Sequence, residues 1–230
     1  MAYATPKDYF VFNPDYDRLV RLSLETRAQT LTLIDTLPFS ENAIPLLGKH
    51  NVLNVRAAVT AARLVGVSDE VIEKAVRNFK ALPHRLENVG TVRDVTFYDD
   101  AISTTPESTI AALEALATSR GKVGTIFLGG TDRGYDFREL ARVLVAKGIR
   151  HIVFFPESGV RILEALRQTS GGESIEVFQT REMRDAVVFA YQKTVSGSIC
   201  LLSTASPSYS LWKNFEEKGD LFQRFVKESA

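Results

Sequence analysis

From about residue 82 to the C-terminus, compact apolar runs alternate with stretches in which apolar residues recur every three or four positions. The runs are Val95–Tyr98, Val123–Leu128, Ile152–Phe155, Ile175–Phe178 and Ile199–Leu202, each rich in β-branched or aromatic residues and bounded by Gly, Pro, Asp or Ser. They predict strands. The periodic stretches 107–118, 137–147, 159–168, 182–194 and 208–218 predict helices. This alternation implies βαβ units, and hence an α/β fold with a mostly parallel sheet covered on both faces. Ligands on such sheets sit beyond the carboxyl ends of the strands, which directs attention to the loops that follow them.

Residues 1–81 read differently. Phe10–Phe12 and Ala28–Ile34 look like strands, and Asp15–Leu24, Asn51–Val65 and Ser68–Phe79 like helices, the last with Ser68 as N-cap. Two short strands and a few helices leave the apolar face Val52, Val55, Val59, Ala62 and Val65 in need of a partner. The expectation is that 1–81 is the tail of a larger domain whose beginning is absent, with a boundary near Leu82-Pro83 and a second domain over 82–230.

Composition narrows the function classes. The 230 residues carry 28 Lys+Arg against 28 Asp+Glu, which argues against a nucleic-acid partner. No apolar run approaches the roughly 18 residues of a membrane span, and MAYATPKDYF lacks a signal peptide's apolar stretch. A cytoplasmic protein with no membrane partner is expected. A single cysteine, Cys200, excludes a disulfide framework or a Cys-based metal site. His50, His84 and His151 are too scattered to argue for a metal, so no metal ligands are expected in this chain.

Three strand-end loops carry candidate chemistry. After Val95–Tyr98 comes Asp99-Asp100-Ala101-Ile102-Ser103-Thr104-Thr105-Pro106, where Thr105 suits an N-cap and Pro106 a first helical position. Such a helix start favours an anion, and an Asp there can accept from a ribose; plain capping would produce the same residues. After Val123–Leu128 comes Gly129-Gly130-Thr131-Asp132-Arg133-Gly134. Paired glycines allow close backbone approach, and Arg133 can grip a carboxylate or phosphate, although a tight turn with a surface arginine reads equally well. After Ile199–Leu202, Ser203 to Ser210 is rich in hydroxyls and leads into Trp212-Lys213-Asn214-Phe215-Glu216-Glu217-Lys218-Gly219-Asp220. A fourth point is the linker Pro83-His84-Arg85-Leu86-Glu87. Gly48-Lys49-His50 is not a P-loop, lacking the upstream glycine and a Ser or Thr after the lysine.

Taken in order, Gly48 to Asn54, Leu82 to Glu87, Asp100 to Thr109, Leu128 to Gly134 and Leu202 to Phe222 resemble the Mur ligase family of peptidoglycan synthesis. The Trp212–Asp220 and Pro83–Glu87 segments look like its D-glutamate-adding branch. The resemblance implies a Rossmann-like C-terminal Mur ligase domain over 82–230, preceded by the end of the central ATPase domain. It implies an ATP-dependent ligase that uses Mg2+ and joins D-glutamate to UDP-N-acetylmuramoyl-L-alanine through an acyl phosphate, and a monomer. Asn51, Asn54, His84, Arg85 and Asp100 would serve the nucleotide. Thr104, Arg133, Ser208 and Phe215 would form the D-glutamate pocket. The chain departs from the pattern at Ile102 (usually lysine), Thr204 (usually proline) and Ser210 (commonly aspartate). The family's P-loop and magnesium ligands are not found, so catalytic residues are assigned to none of this chain and these residues alone are expected to be inactive. Another Mur ligase, a folylpolyglutamate synthase-type ligase and a non-catalytic nucleotide- or amino-acid-binding module stay open.

Overall fold

The computed structural model describes residues 3–228 and divides into two compact units, Met1–Lys80 and Ala81–Ala230. In the first, β1 (Tyr9–Phe12) pairs in parallel with β2 (Gln29–Thr32) across helix α1 (Asp17–Glu25), and a short 3-10 turn, Glu41–Ala43, precedes α2 (Lys49–Leu64) and α3 (Asp69–Arg77). Val55, Val59, Ile72 and Leu37 form its small core. Thr60 ties helix to strand end by accepting from Ile34 N at 3.1 Å while donating to Arg56 O at 2.7 Å. Ser68 stands at the N-cap of α3, but its side chain makes no capping bond. The expected apolar face of α2 is only partly covered, since Val65 is exposed. An apolar groove of about 400 Å³ opens beside Val55, Val59, Val71, Val76 and Phe79.

The second unit is a six-stranded sheet of order β3-β4-β8-β5-β6-β7. The strands are β3 (Glu87–Val92), β4 (Val95–Asp99), β5 (Val123–Gly129), β6 (His151–Phe155), β7 (Glu176–Gln179) and β8 (Ile199–Leu202). All pairs are parallel except β3–β4, so the α/β, mostly parallel fold read from the sequence is the fold observed. The antiparallel edge strand β3 was not anticipated. Its hairpin turn uses Arg93 and Asp94, both at positive φ (50° and 63°). Two left-handed residues suit the twist of a two-residue hairpin, but without glycine or asparagine they give no turn signal.

Helices α4 (Pro106–Ser119), α5 (Arg138–Ala146) and α6 (Ser158–Arg167) pack side by side, while α7 (Met183–Lys193) packs on α8 (Phe215–Glu228). Phe97, Phe127, Phe155, Leu202 and Cys200 from the strands meet Ala186, Val187, Ala190, Phe222 and Val226 from α7 and α8 in one core. Over 208–214 the helix expected at 208–218 is replaced by turns, and α8 begins only at Phe215. Hydroxyl side chains in 203–210 compete for backbone partners, whereas Asn214 Oδ1 accepts from Glu217 N at 2.9 Å and so starts the helix late.

The last strand, β8, lies between β4 and β5. The chain moves outward through β5, β6 and β7 and then returns to fill this central place. The carboxyl ends of β4, β8 and β5 are therefore neighbours at a point where strand order reverses, the usual ligand crevice of an open α/β sheet.

Phe127 is fully buried on β5, with edge-to-face contacts to Phe155 and Phe222. Phe127→Ala is expected to cost about 3–5 kcal/mol, while Val160→Ala, at an exposed site on α6, costs less than about 0.5. Urea unfolding followed by the fluorescence of Trp212, the chain's one tryptophan, reads the second unit and checks both.

Candidate functional site

β4 ends in two buried carboxylates. Successive side chains of a strand point to opposite faces, and the two acids find different partners. Asp100 Oδ2 accepts from Ser203 Oγ at 2.8 Å and Oδ1 from Leu86 N at 3.2 Å. Ser203 Oγ in turn meets Thr109 Oγ1 on α4 at 2.9 Å. Burial pushes the Asp100 carboxyl up to about 6, against hydrogen bonds from Ser103, Ser203 and Leu86 that lower it. Thr105 caps α4 as expected: its side chain accepts from Ser108 N, Ser108 answers to the Thr105 backbone, and Pro106 opens the helix.

Asp99 faces the linker and α8. His84 Nδ1 lies 2.7 Å from Asp99 Oδ2, and Gln223 Nε2 donates to the same oxygen at 2.9 Å and to Glu87 Oε2 at 3.1 Å. His84 N donates to Glu87 Oε2 at 2.8 Å, and Ala101 N to Asp99 Oδ1 at 2.9 Å. This closes a clasp over a linker whose His84 and Leu86 are left-handed (φ 59° and 47°). Gly219 makes the clasp possible, since a Cβ there would lie 2.2 Å from His84 Nδ1 and 2.7 Å from Asp99 Oδ2. His84, Glu87 and Asp99 are the one group among the described residues with ligand atoms close enough for a metal. Asp99 is fully buried with both oxygens engaged, an environment that does not fit Mg2+ with its retained waters and octahedral demand.

The loop after β5 owes its path to glycine. At Gly129 (φ +104°) a Cβ would sit 2.1 Å from Phe155 O, and at Gly130 (φ +152°) 2.2 Å from Pro207 O. The close approach that these glycines permit in this structure is to protein backbone. Gly130 O accepts from both Glu157 N and Ser158 N, at 3.0 and 2.9 Å, and Thr131 N donates to Pro207 O at 2.8 Å. Asp132 is held below the usual carboxylate range by Gly134 N and then by Arg161, whose Nη1 lies 2.7 Å away.

The structure sorts the residues proposed from sequence. Arg85 and Arg133 are exposed, and neither has an ion pair among the described residues. Ser208 is buried with an unpartnered Oγ, and Thr131 Oγ1 on the neighbouring loop is likewise buried and unpartnered. Thr104 and Phe215 are half-buried; the Phe215 ring meets His84 edge-on at 6.2 Å. Asp100 and His84 are buried, facing inward. Asn51 and Asn54 belong to the first unit, where Asn51 Nδ2 donates to Leu47 O at 2.7 Å and Asn54 Nδ2 to Asn51 Oδ1 at 3.3 Å. Sequence reasoning gave no role to Thr131 or to Lys218, which is fully buried with Nζ 2.5 Å from Thr204 Oγ1. The pair Glu216-Glu217 beside it gives the look of a solvated helix face.

Residues 84–206 match the family model described as Mur ligase, glutamate ligase domain. The chain belongs to the Mur ligase family. A UDP-N-acetylmuramoylalanine--D-glutamate ligase of Bacillus thuringiensis (strain Al Hakam) is 32% identical over 241 residues, covering 96% of this chain and 52% of that protein. One from Streptococcus equi subsp. zooepidemicus is 31% identical over 236 residues, covering 95% and 50%. The chain thus spans about half the length of the curated relatives it matches. Among solved structures, the MurF ligase from Thermotoga maritima in complex with ADP superposes with a TM-score of 0.67 at 15% identity, over 97% of this chain and 55% of that one. The Mur ligase fold is shared where the sequences have largely diverged.

Asp100 makes the stability of this Mur ligase unit pH-dependent. Its folded value of about 6 exceeds its ordinary 3.8, so the folded state binds the extra proton between them. The associated stability is full below about pH 4 and is lost as pH rises past 6, by about 3 kcal/mol at about 1.4 per unit. Asp100→Asn is therefore expected to gain about that much relative to wild type between pH 4 and 7.5. Trp212-monitored urea unfolding with the same difference at both pH values would exclude it.

Proposed function

We propose that this chain is the amino-acid-accepting part, with the end of the ATP-binding part, of a ligase that joins D-glutamate to UDP-N-acetylmuramoyl-L-alanine. Residues 82–230 would form the amino-acid domain and 1–81 the remnant of the central ATPase domain. The observation that carries the reading is an exposed guanidinium, without an ion pair among the described residues, on the same strand-end loops as two buried and unpartnered hydroxyls. Arg133, Thr131 and Ser208 stand on adjacent loops at the reversal point of the sheet. A guanidinium presents a planar fork to a carboxylate, and hydroxyls donate to its remaining oxygens. An amino acid with two carboxylates suits such a site better than a cationic one.

In this reading Thr104, Arg133, Ser208 and Phe215 hold D-glutamate so that its amine faces an activated carboxylate. ATP with Mg2+ would supply the phosphoryl group that turns that carboxylate into an acyl phosphate. Arg85 serves as the exposed cation of the linker toward the nucleotide, with His84 fixing the linker behind it through Asp99. Asn51 and Asn54 offer amides at the start of α2 for the base. Asp100 would serve the ribose, which requires its bond to Leu86 N or Ser203 Oγ to open. The curated relatives carrying the D-glutamate ligase name support the substrate, and the ADP-bound neighbour supports the nucleotide.

Two measurements test this. In ¹⁵N NMR titrations of the 230-residue chain, D-glutamate is expected to shift the amides of Thr104, Thr131, Arg133 and Ser208, and Arg133→Ala to weaken the effect at least about tenfold. Equal response to L-lysine or meso-diaminopimelate, or none to D-glutamate, overturns the substrate assignment. With ATP, D-glutamate and UDP-N-acetylmuramoyl-L-alanine all present, ADP release by the chain alone is expected to stay at background.

A further inference from the structure

Lys218 is the one Lys or Arg side chain among the described residues that is fully buried. It lies in the first turn of α8, where the positive end of the helix dipole opposes a cation. An ammonium buried there persists only if it is paired. Nζ donates to Thr204 Oγ1 at 2.5 Å and lies 6.0 Å from the centre of the Trp212 ring. Burial pushes this ammonium down to about 7, against the pull of Asp99 and Asp100. The next residue, Gly219, lies against Asp99 Oδ2, and one turn later Gln223 donates to that same oxygen. The first two turns of α8 are thus set in register on Asp99.

From Thr204 the contacts run outward. Thr204 Oγ1 donates to Ser206 O at 3.0 Å, and Ser206 Oγ meets Ser158 Oγ at 2.7 Å. Pro207 O accepts from Thr131 N at 2.8 Å. Lys218 therefore stands behind the loops that carry Ser208 and Arg133 without bonding to either residue.

We propose that Lys218 is a positioning residue whose buried ammonium, through Thr204, fixes the loop presenting Ser208. That Ser208 serves an amino-acid substrate rests on the reading above; the fixing of the loop does not. The titratable groups around Asp99, on which α8 rests, are His84 on the linker, Glu87 on β3 and Asp220 on α8, 3.7 Å from His84 Nε2. Glu216 and Glu217 on the same turn as Lys218 are exposed.

The test follows amide exchange in the whole chain by NMR, at Gly129 N, which donates to Thr204 O, and at Thr131 N, which donates to Pro207 O. Lys218→Met and Thr204→Val both remove the bond, and each is expected to quicken exchange at Gly129 and Thr131 about tenfold or more while Ile152 on β6 stays unchanged. Lys218→Arg keeps a donor and should stay within about threefold of wild type. Unchanged exchange at both amides in folded K218M overturns the proposal, as does unchanged exchange in T204V. If K218M does not melt cooperatively, K218R and T204V decide, and exchange in K218R as fast as in T204V overturns it. Failure of wild type to bind D-glutamate while these changes appear would sink the substrate reading and leave this one standing.

Discussion

The burial of two adjacent carboxylates at the end of β4 is the constraint around which the second unit is arranged. Strand geometry sends Asp99 and Asp100 apart, and each must find its own partners, because an unpaired buried carboxylate is too costly to keep. Asp99 draws in the His84 ring, Gln223 and its own loop at Ala101. Asp100 draws in Ser203 and the Leu86 backbone. The linker is held at two points two residues apart, by the His84 side chain on Asp99 and by the Leu86 backbone N–H on Asp100. That double hold accounts for the left-handed conformations at His84 and Leu86, which neither residue adopts without compensation.

The same requirement reaches the opposite end of the chain. β8 must lie beside β4 for Ser203 to reach Asp100, and α8 must begin close above it for Gly219 to lie flat on Asp99. Gly129 and Gly130 then let the β5 loop close against Phe155 and Pro207. The loops that bear Arg133 and Ser208 are thereby fixed by backbone contacts, while the exposed Arg133 side chain has no ion pair among the described residues. A rigid frame presenting an uncommitted cation is well suited to recognising an anionic ligand.

Much of this frame was legible in the sequence because its signals are local. All five parallel strands and four of the helices of the second unit announce themselves by periodicity and flanking residues, and Thr105-Pro106 declares its cap. The edge strand β3 was missed because Arg93-Asp94 enters a left-handed turn under tertiary pressure rather than by composition. The helix at 208–218 was misplaced because the hydroxyls there bind backbone and loop partners that no helical pattern reveals. The loops follow the strands where the pattern puts them, but the direction of each side chain cannot be read from it. Nothing in the local pattern tells an inward Asp100 from an outward one, since its partners lie at Leu86 and Ser203. Lys218 is the strongest instance: flanked by glutamates it reads as surface, and only its burial and its bond to Thr204 show it to be interior.

The place of Cys200 has a practical side. The thiol sits in the middle of the central strand β8, fully buried among Phe97, Phe127 and Phe222, and its surroundings push its ionisation far up. A thiol that stays protonated and out of reach is a poor nucleophile toward maleimides or disulfides. The folded molecule is therefore chemically silent to thiol reagents, and a cysteine introduced on any exposed loop becomes a unique attachment point. Fluorophores or spin labels could be carried on the 129–135 or 203–209 loops with no need to delete the native sulfur from the core.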